Sequence, residues 1–380
     1  MQVVLTFFTE ATGWHKPLPD LDSPRTLVLV FGQAESRHYQ AALDELITKY
    51  PTSLMAGCST VAGIFDDYLM EDALVVGIIH FHTTRLTLVS REIHASAESW
   101  QAGKNIAENL YAPDLKGVLI LSDGLNTNGT ELARGLASAL PANVMVAGGL
   151  ASDPMEFKHT WILHKGAPAT HMVCGVGFYG EQIYFATQAK DGWRPFGPER
   201  TITKSAGNIL YEIDQQPALE LYKEYLGDHA AGLPATALHF PLAIWGESKE
   251  HYLVRTILGI DESANSLIFA GDIPKDSKTQ LMYGSFDNLV EGAEIASRIL
   301  TDKLPEASQP VLALAISCAG RKLVMQEDTD QELEATLENL PPDSRQIGFY
   351  SFGELAPSFP GEGCSLHNET MTITVIYEGS

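Results

Sequence analysis

The chain has 380 residues, enough for two domains or one large one with a full core, and its 45% hydrophobic and 19% charged content is ordinary for a globular fold. Its 25 basic against 48 acidic residues give a net charge of −23, which argues against nucleic acid and anionic membranes as partners, since both require a positive surface. The same balance suits a soluble, cytoplasmic protein.

The opening residues Met1–Glu10 carry neither a basic n-region nor a small-residue cleavage site, so no signal peptide is expected. No apolar run approaches the ~18 residues of a membrane span. Cys58, Cys174, Cys318 and Cys364 are far apart and form no C-x-x-C, which points to reduced thiols.

Arg25–Gly32 is a continuous apolar run, the pattern of a strand buried on both faces. A helical stripe of Tyr39, Leu43, Leu46 and Ile47 follows and stops at Pro51. Leu54–Gly57 then enters a second strand that ends in Cys58-Ser59-Thr60. Ala73–Phe81 and Arg85–Arg91 read as two further strands joined by His82-Thr83-Thr84.

This order recurs. Leu115–Leu121 is a buried strand ending in Ser122-Asp123-Gly124, Glu131–Leu140 an amphipathic helix, and Val144–Ala147 a strand ending in Gly148-Gly149, with Ala151-Ser152-Asp153 beyond. Strand-like runs follow at Thr160–His164, His171–Tyr179 and Gln182–Ala189. A third copy has a strand at Val311–Ile316 ending in Ser317-Cys318-Ala319-Gly320-Arg321, a helix at Glu332–Leu340, and a final stretch Ile347–Tyr377. That last stretch runs through Tyr350, Ser351 and Glu354, turns at Pro357, Pro360, Gly361 and Gly363, and re-enters a strand. The helices before copies two and three correspond: Gly103, Ile106, Ala107 and Leu110 against Gly292, Ile295, Ala296 and Ile299, each one helical face with a glycine for close packing.

Between the second and third copies the pattern is less regular. Lys190–Pro198 reads as a loop, Ser205–His229 as two helical runs broken at Pro217, Gly232–Pro234 as a hinge, and His251–Tyr283 as antiparallel strands. The expected fold is therefore α/β: two fused domains, 1–215 and 216–380, with mixed sheets and flanking helices built from repeated strand–helix–strand–hairpin units. A right-handed crossover places both strand ends of a copy at one sheet edge, where α/β proteins hold ligands.

Six motifs in chain order carry a resemblance to a known family. They are A-G-C-S-T-V-A-G (Ala56–Gly63), L-S-D-G (Leu121–Gly124), A-G-G-L-A-S-D (Ala147–Asp153), S-C-A-G-R (Ser317–Arg321), G-F-Y-S-F-G-E-L-A-P (Gly348–Pro357) and L-H-N-E-T-M-T (Leu366–Thr372). Over residues 27–377 the chain resembles the FIST family of intracellular sensory proteins, in both halves. The resemblance implies a small-ligand sensor rather than an enzyme. Because the two halves use almost the whole chain, it also implies a separate signalling partner, such as a histidine kinase. Some free-standing bacterial members are implicated as haem-binding nitric oxide sensors; others are thought to bind amino-acid-like molecules. The motifs do not separate these branches.

The strand-end residues Cys58, Ser59, Thr60, Asp123, Gly148, Gly149, Cys318, Arg321, Tyr350, Ser351, Glu354, His367 and Asn368 form the candidate ligand-binding set. Arg321 and Glu354 read equally as an ion pair or as a clamp for a ligand carboxylate. His367 is the one histidine inside a family motif and the named candidate for a haem ligand, although it belongs to a general signature and reads equally as a satisfied strand residue. The rival function is a cysteine-dependent enzyme using Cys58 or Cys318, but neither has a histidine in its local motif to lower the thiol pKa. Gly175-x-Gly177-x-x-Gly180 is followed by strand rather than helix and offers no phosphate site. His80-x-His82 and the His159, His164, His171, Cys174 group lack zinc spacing, and Cys364 and His367 would face opposite sides of a strand.

Overall fold

A computed structural model describes residues 1–304, 309–358 and 361–379; Pro360 of the turn noted above lies outside the described residues. Among these the α-helices are α1 (Gln40–Lys49), α2 (Ser99–Leu110), α3 (Gly129–Ala139), α4 (Ala218–Leu226), α5 (Phe286–Thr301), α6 (Ala319–Met325) and α7 (Asp330–Glu338). The fold is α/β in two fused domains, with mixed sheets and flanking helices. No helix among the described residues is long and apolar enough to cross a membrane.

Each expected strand–helix–strand copy is a parallel pair. Thr26–Gly32 pairs with Leu54–Ser59 across α1, Leu115–Ser122 with Met145–Leu150 across α3, and Leu312–Cys318 with Arg345–Ser351 across α6 and α7. In every copy the first strand is flanked on its other side by an antiparallel strand from later in that copy: Leu74–His80, Met172–Tyr179 and Met371–Glu378. Beyond it lies a strand that precedes the pair: Gln2–Thr9, Arg85–Glu92 or Ile183–Lys190. First strands buried on both faces require cover on both, which explains their unbroken apolar runs.

The hairpin that follows each second strand does not extend its own sheet. That of the first copy (63–70) pairs with Arg345–Ser351, that of the third (353–367) with Met145–Leu150, and that of the second (162–169) with Leu54–Ser59. The exchange is cyclic, so every second strand has its open edge covered by a neighbour's hairpin. Leu29 and Phe31, Leu119 and Leu121, and Ile316 and Phe349 form one shared core, with Phe31 stacked on Phe349 at 4.9 Å.

The α2–α3 contact rests on reciprocal glycines. A Cβ on Gly103 would sit 2.3 Å from the Leu132 carbonyl oxygen, and one on Gly135 2.1 Å from that of Trp100. The buried stripe of α2 is the expected Gly103, Ile106, Ala107 and Leu110. In α5 it is shifted: Gly292, Ala293, Ala296 and Leu300 are buried, while Ile295 and Ile299 are only partly covered. The glycine packs on Gly192 and turns the face by one residue.

The irregular region is a fourth, 8-stranded antiparallel sheet spanning Arg194 to Tyr283. The expected loop at Lys190–Pro198 is in large part a strand, Arg194–Ala206, whose register shifts between Phe196 and Arg200, so Pro198 falls in a bulge where no ladder donor is needed. The expected first helical run after Ser205 is likewise replaced by the strand Ile209–Ile213, and only α4 is helical. Residue 215 lies inside this sheet region. Sheets are also shared across that position, since 63–70 and 183–190 join the third copy and 353–367 joins the second.

Candidate functional site

The strand ends of all three copies converge. Ser152 Oγ donates to the Tyr350 carbonyl at 2.5 Å and accepts the Val61 N–H at 2.9 Å; the Ser152 N–H donates to the Ser59 carbonyl at 3.1 Å. Thr60 Oγ1 lies 2.8 Å from the Tyr350 carbonyl oxygen and accepts the Tyr350 N–H at 3.0 Å. Ser59 Oγ accepts the Trp161 N–H at 3.1 Å, locking in the second copy's hairpin. Ser59 and Thr60 are thus buried members of the junction and not ligand-facing groups. Small hydroxyl residues suit it because each satisfies backbone groups that the crossing strands leave unpaired.

Beside this junction lies a cavity of about 430 Å³, within the range of small-ligand pockets. The second copy supplies Gly124, Leu125, Thr127 and Asn128; the third supplies Cys318, Ala319, Gly320, Ser351 and Phe352; the fourth sheet closes it with Thr256, Phe269 and Asp272. Phe157 stacks on Phe352 at 4.8 Å at its edge. Different copies therefore do share one cleft. Asp123 shapes the wall without lining it: its Oδ1 accepts the N–H groups of Leu125 and Asn126 at 2.8 Å each, and its Oδ2 that of His171 at 3.1 Å. Asn128 caps α3 by accepting the Glu131 N–H and donates to Asp272 Oδ1 at 3.1 Å, docking the fourth sheet onto the helix.

Behind Ser351 and Cys318 lies a buried acidic pair. Glu354 accepts from Thr370 Oγ1 at 2.8 Å and shares a 2.5 Å bond with Ser351 Oγ. Burial with no cation bonded to it pushes the Glu354 carboxyl up to about 8. Glu369 Oε1 accepts from Thr256 Oγ1 at 2.8 Å, while its Oε2 is buried without a partner, as are both amide atoms of Asn368. Burial pushes Glu369 up to about 7, against a lowering by its Thr256 bond and by Arg321. Cys318 lines the cavity, but burial and these two carboxyls push its thiol well above the ordinary value.

Several of the expected site residues lie away from the cavity. Arg321 is not on a loop beside Glu354: Ala319 opens α6, and the fully buried Arg321 places Nε and Nη2 at 3.0 and 2.6 Å from Glu332 Oε2. Its remaining donors go to the carbonyls of Leu289 and Asp191. Tyr350 is part of the same network, donating its hydroxyl to Glu332 Oε1 at 2.7 Å. Cys58 sits in the core beside Cys174 with its thiol pushed well up by burial. Gly148 and Gly149 are sheet positions where backbone and side chains approach too closely for a Cβ: one would lie 2.0 Å from the Ile120 oxygen, the other 3.0 Å from Ile316. His367 is buried, and its Nε2–H donates to the Ala356 carbonyl at 3.2 Å. Burial and the nearby Arg255 push its pKa down to about 4.

The residues present do not fit a haem. Among the described residues lining the cavity there is no histidine or tyrosine, the Cys318 thiol is held protonated, and no cation is placed to meet propionates. His367 does not line the cavity. The sequence reading missed Glu369, Thr256, Asp272 and the Phe157–Phe352 pair. Glu369 was in view within the L-H-N-E-T motif; the fourth-sheet residues carry no local signal.

Comparison with known proteins matches residues 26–216 to the FIST N domain and residues 218–357 to the FIST C domain. An uncharacterized protein of Methanocaldococcus jannaschii, MJ1623, is 23% identical over 394 residues, covering 93% of this chain and 73% of that protein.

Proposed function

Because the chain belongs to the FIST family, whose domains sense small ligands in signalling, we propose that it is a sensor that holds its ligand in the cavity at the strand ends and signals through a separate partner protein. A histidine kinase is the partner class the family resemblance suggests. The observation that carries this reading is the cavity itself, whose walls come from two repeat copies and from the fourth sheet. A ligand bridging those walls adds a contact that ties the fourth sheet to the two copies, and differential affinity for two arrangements is what a sensor requires. The structure offers a small polar and aromatic ligand a better site than haem. Arg321 is paired to Glu332, and the described residues lining the cavity include no guanidinium to clamp a ligand carboxylate in the way an amino-acid ligand would require.

The rival enzyme reading needs an accessible thiolate, and all four cysteines are buried. A thermal-shift screen of amino acids, amines and other metabolites, with haem titrated separately, tests the proposal. At least one small molecule should stabilise the native protein, and Ala270→Trp, which projects an indole into the cavity, should abolish that shift. A sharp Soret band that moves with nitric oxide, unaffected by Ala270→Trp, would place sensing elsewhere and overturn the cavity reading. One native thiol labelled rapidly by iodoacetamide near neutral pH would favour the enzyme.

A further inference from the structure

The cavity's chemistry is one-sided. Its described lining has a carboxylate, Asp272, hydroxyls at Ser96, Thr127, Thr256 and Ser351, and no lysine, arginine or histidine. Directly behind that wall stands Glu369. Its Oε1 is held by Thr256 and would lie 2.5 Å from a Cβ at Gly320, so the bare glycine leaves the carboxylate packed against the lining backbone. Its Oε2 has no partner although the residue is wholly buried, and its backbone sits in the left-handed region at φ 58°. An orphaned carboxylate oxygen on a strained residue is costly and calls for a reason.

The charges around it do not supply one. Arg321 faces Glu369 but is taken by Glu332; Glu354 and Cys318 are its acidic and neutral neighbours; Arg255, behind the lining Gly271, is spent on the carbonyls of Leu366 and Asp272. Asp272, by contrast, is partnered by Asn128 and lies 4.0 Å from Arg134. The stacked Phe157 and Phe352 add an aromatic surface to the lining.

Resting on the sensor reading, we infer that the ligand is a small organic ammonium, its cation set against Asp272 and the Thr256 hydroxyl of the lining with the Glu369 carboxylate directly behind them, and its apolar part packed on the Phe157–Phe352 pair. A lining that carries a carboxylate and aromatic faces but no cation of its own attracts an amine and repels an anion, with Arg255, packed behind Gly271, already engaged by backbone carbonyls.

The test is calorimetric titration of the full chain with three isosteric probes: phenethylamine, 2-phenylethanol and phenylacetate. Phenethylamine should bind at least tenfold tighter than the alcohol, with phenylacetate weakest. Because a cation needs the ionised carboxylate, the amine's affinity should rise between pH 6 and 8. In Glu369→Gln the amine preference and its pH slope should both vanish. Should that variant fail to fold, Thr256→Val, which removes only the hydroxyl held by Glu369, should shift the pH slope, and Phe352→Ala should weaken all three probes alike. Equal or tighter binding of the alcohol or phenylacetate overturns the ligand class and leaves the sensor reading standing. No response to phenethylamine also overturns the class; the sensor reading falls only if the wider screen gives no shift that Ala270→Trp removes.

Discussion

Replacing Arg321 by methionine separates a structural cation from a ligand clamp. The guanidinium is wholly buried, bonded twice to Glu332 and to the Leu289 carbonyl at 2.9 Å, with a further bond to the Asp191 carbonyl. Methionine roughly fills the stem's volume but leaves the Glu332 carboxylate buried with only the Ser317 and Tyr350 hydroxyls, at 2.8 and 2.7 Å, to meet it. Removing one partner of a buried pair costs ~3–5 kcal/mol. The two carbonyls that lose a donor add ~1 kcal/mol each. Against a total stability of ~5–15 kcal/mol, that is a large fraction. Adding Glu332→Gln removes the orphaned charge while keeping an acceptor for the hydroxyls, so the double variant should recover ~2 kcal/mol or more. Urea denaturation followed by tryptophan fluorescence, with all four members of the cycle measured at one pH, reads both numbers. A single variant within ~1 kcal/mol of the parent, or a double variant no better than the single, would refute the network. The folded Arg321→Met protein should still bind ligand; a variant of full stability that no longer binds it would restore Arg321 as a clamp.

Two pH predictions run in opposite directions. Glu354 and Glu369 are raised from 4.5 to about 8 and about 7, so their contribution is fully present below about pH 4.5 and is lost as pH rises through 7 and 8. The urea midpoint should therefore fall between pH 5 and 8.5, and Glu354→Gln should flatten that decline; an unchanged slope would mean the pair is not what titrates. Glu378 is lowered from 4.5 to about 2 because Thr84 Oγ1 and the N–H groups of His82, Thr83 and Thr84 all donate to it, enough to outweigh its burial. Its contribution is present above about pH 4.5 and lost as pH falls toward 2. Glu378→Gln should cost roughly 1–3 kcal/mol at pH 7 and little near pH 2.5. Equal losses at both values would show that packing, not charge-assisted hydrogen bonding, holds this last strand to the first turn.

By itself the sequence determined what is local. Unbroken apolar runs mark strands buried on both faces, as at Thr26–Gly32 and Leu312–Cys318, and helical stripes bounded by prolines mark the crossovers. Their recurrence in one order reveals three copies, and Cys318 and Ser351 at strand ends do reach the cavity. The tertiary structure decided everything that depends on choosing between similar partners. Each hairpin, at 63–70, 162–169 and 353–367, carries strands that could serve any open edge, so alternation cannot say that the first copy's hairpin covers the third copy's sheet. Arg321 had Glu332 eleven residues on and Glu354 further along. The start of α6 turned it away from the motif's glutamate and into the helix layer, leaving Glu354 and Glu369 without a bonded cation. Thr256 and Asp272 reach the cavity only because the fourth sheet, anchored through Asn128, folds back over α3. Packing over long sequence separation fixes such choices, because the free energy that selects one edge or one counter-ion comes from surfaces absent until the copies have assembled.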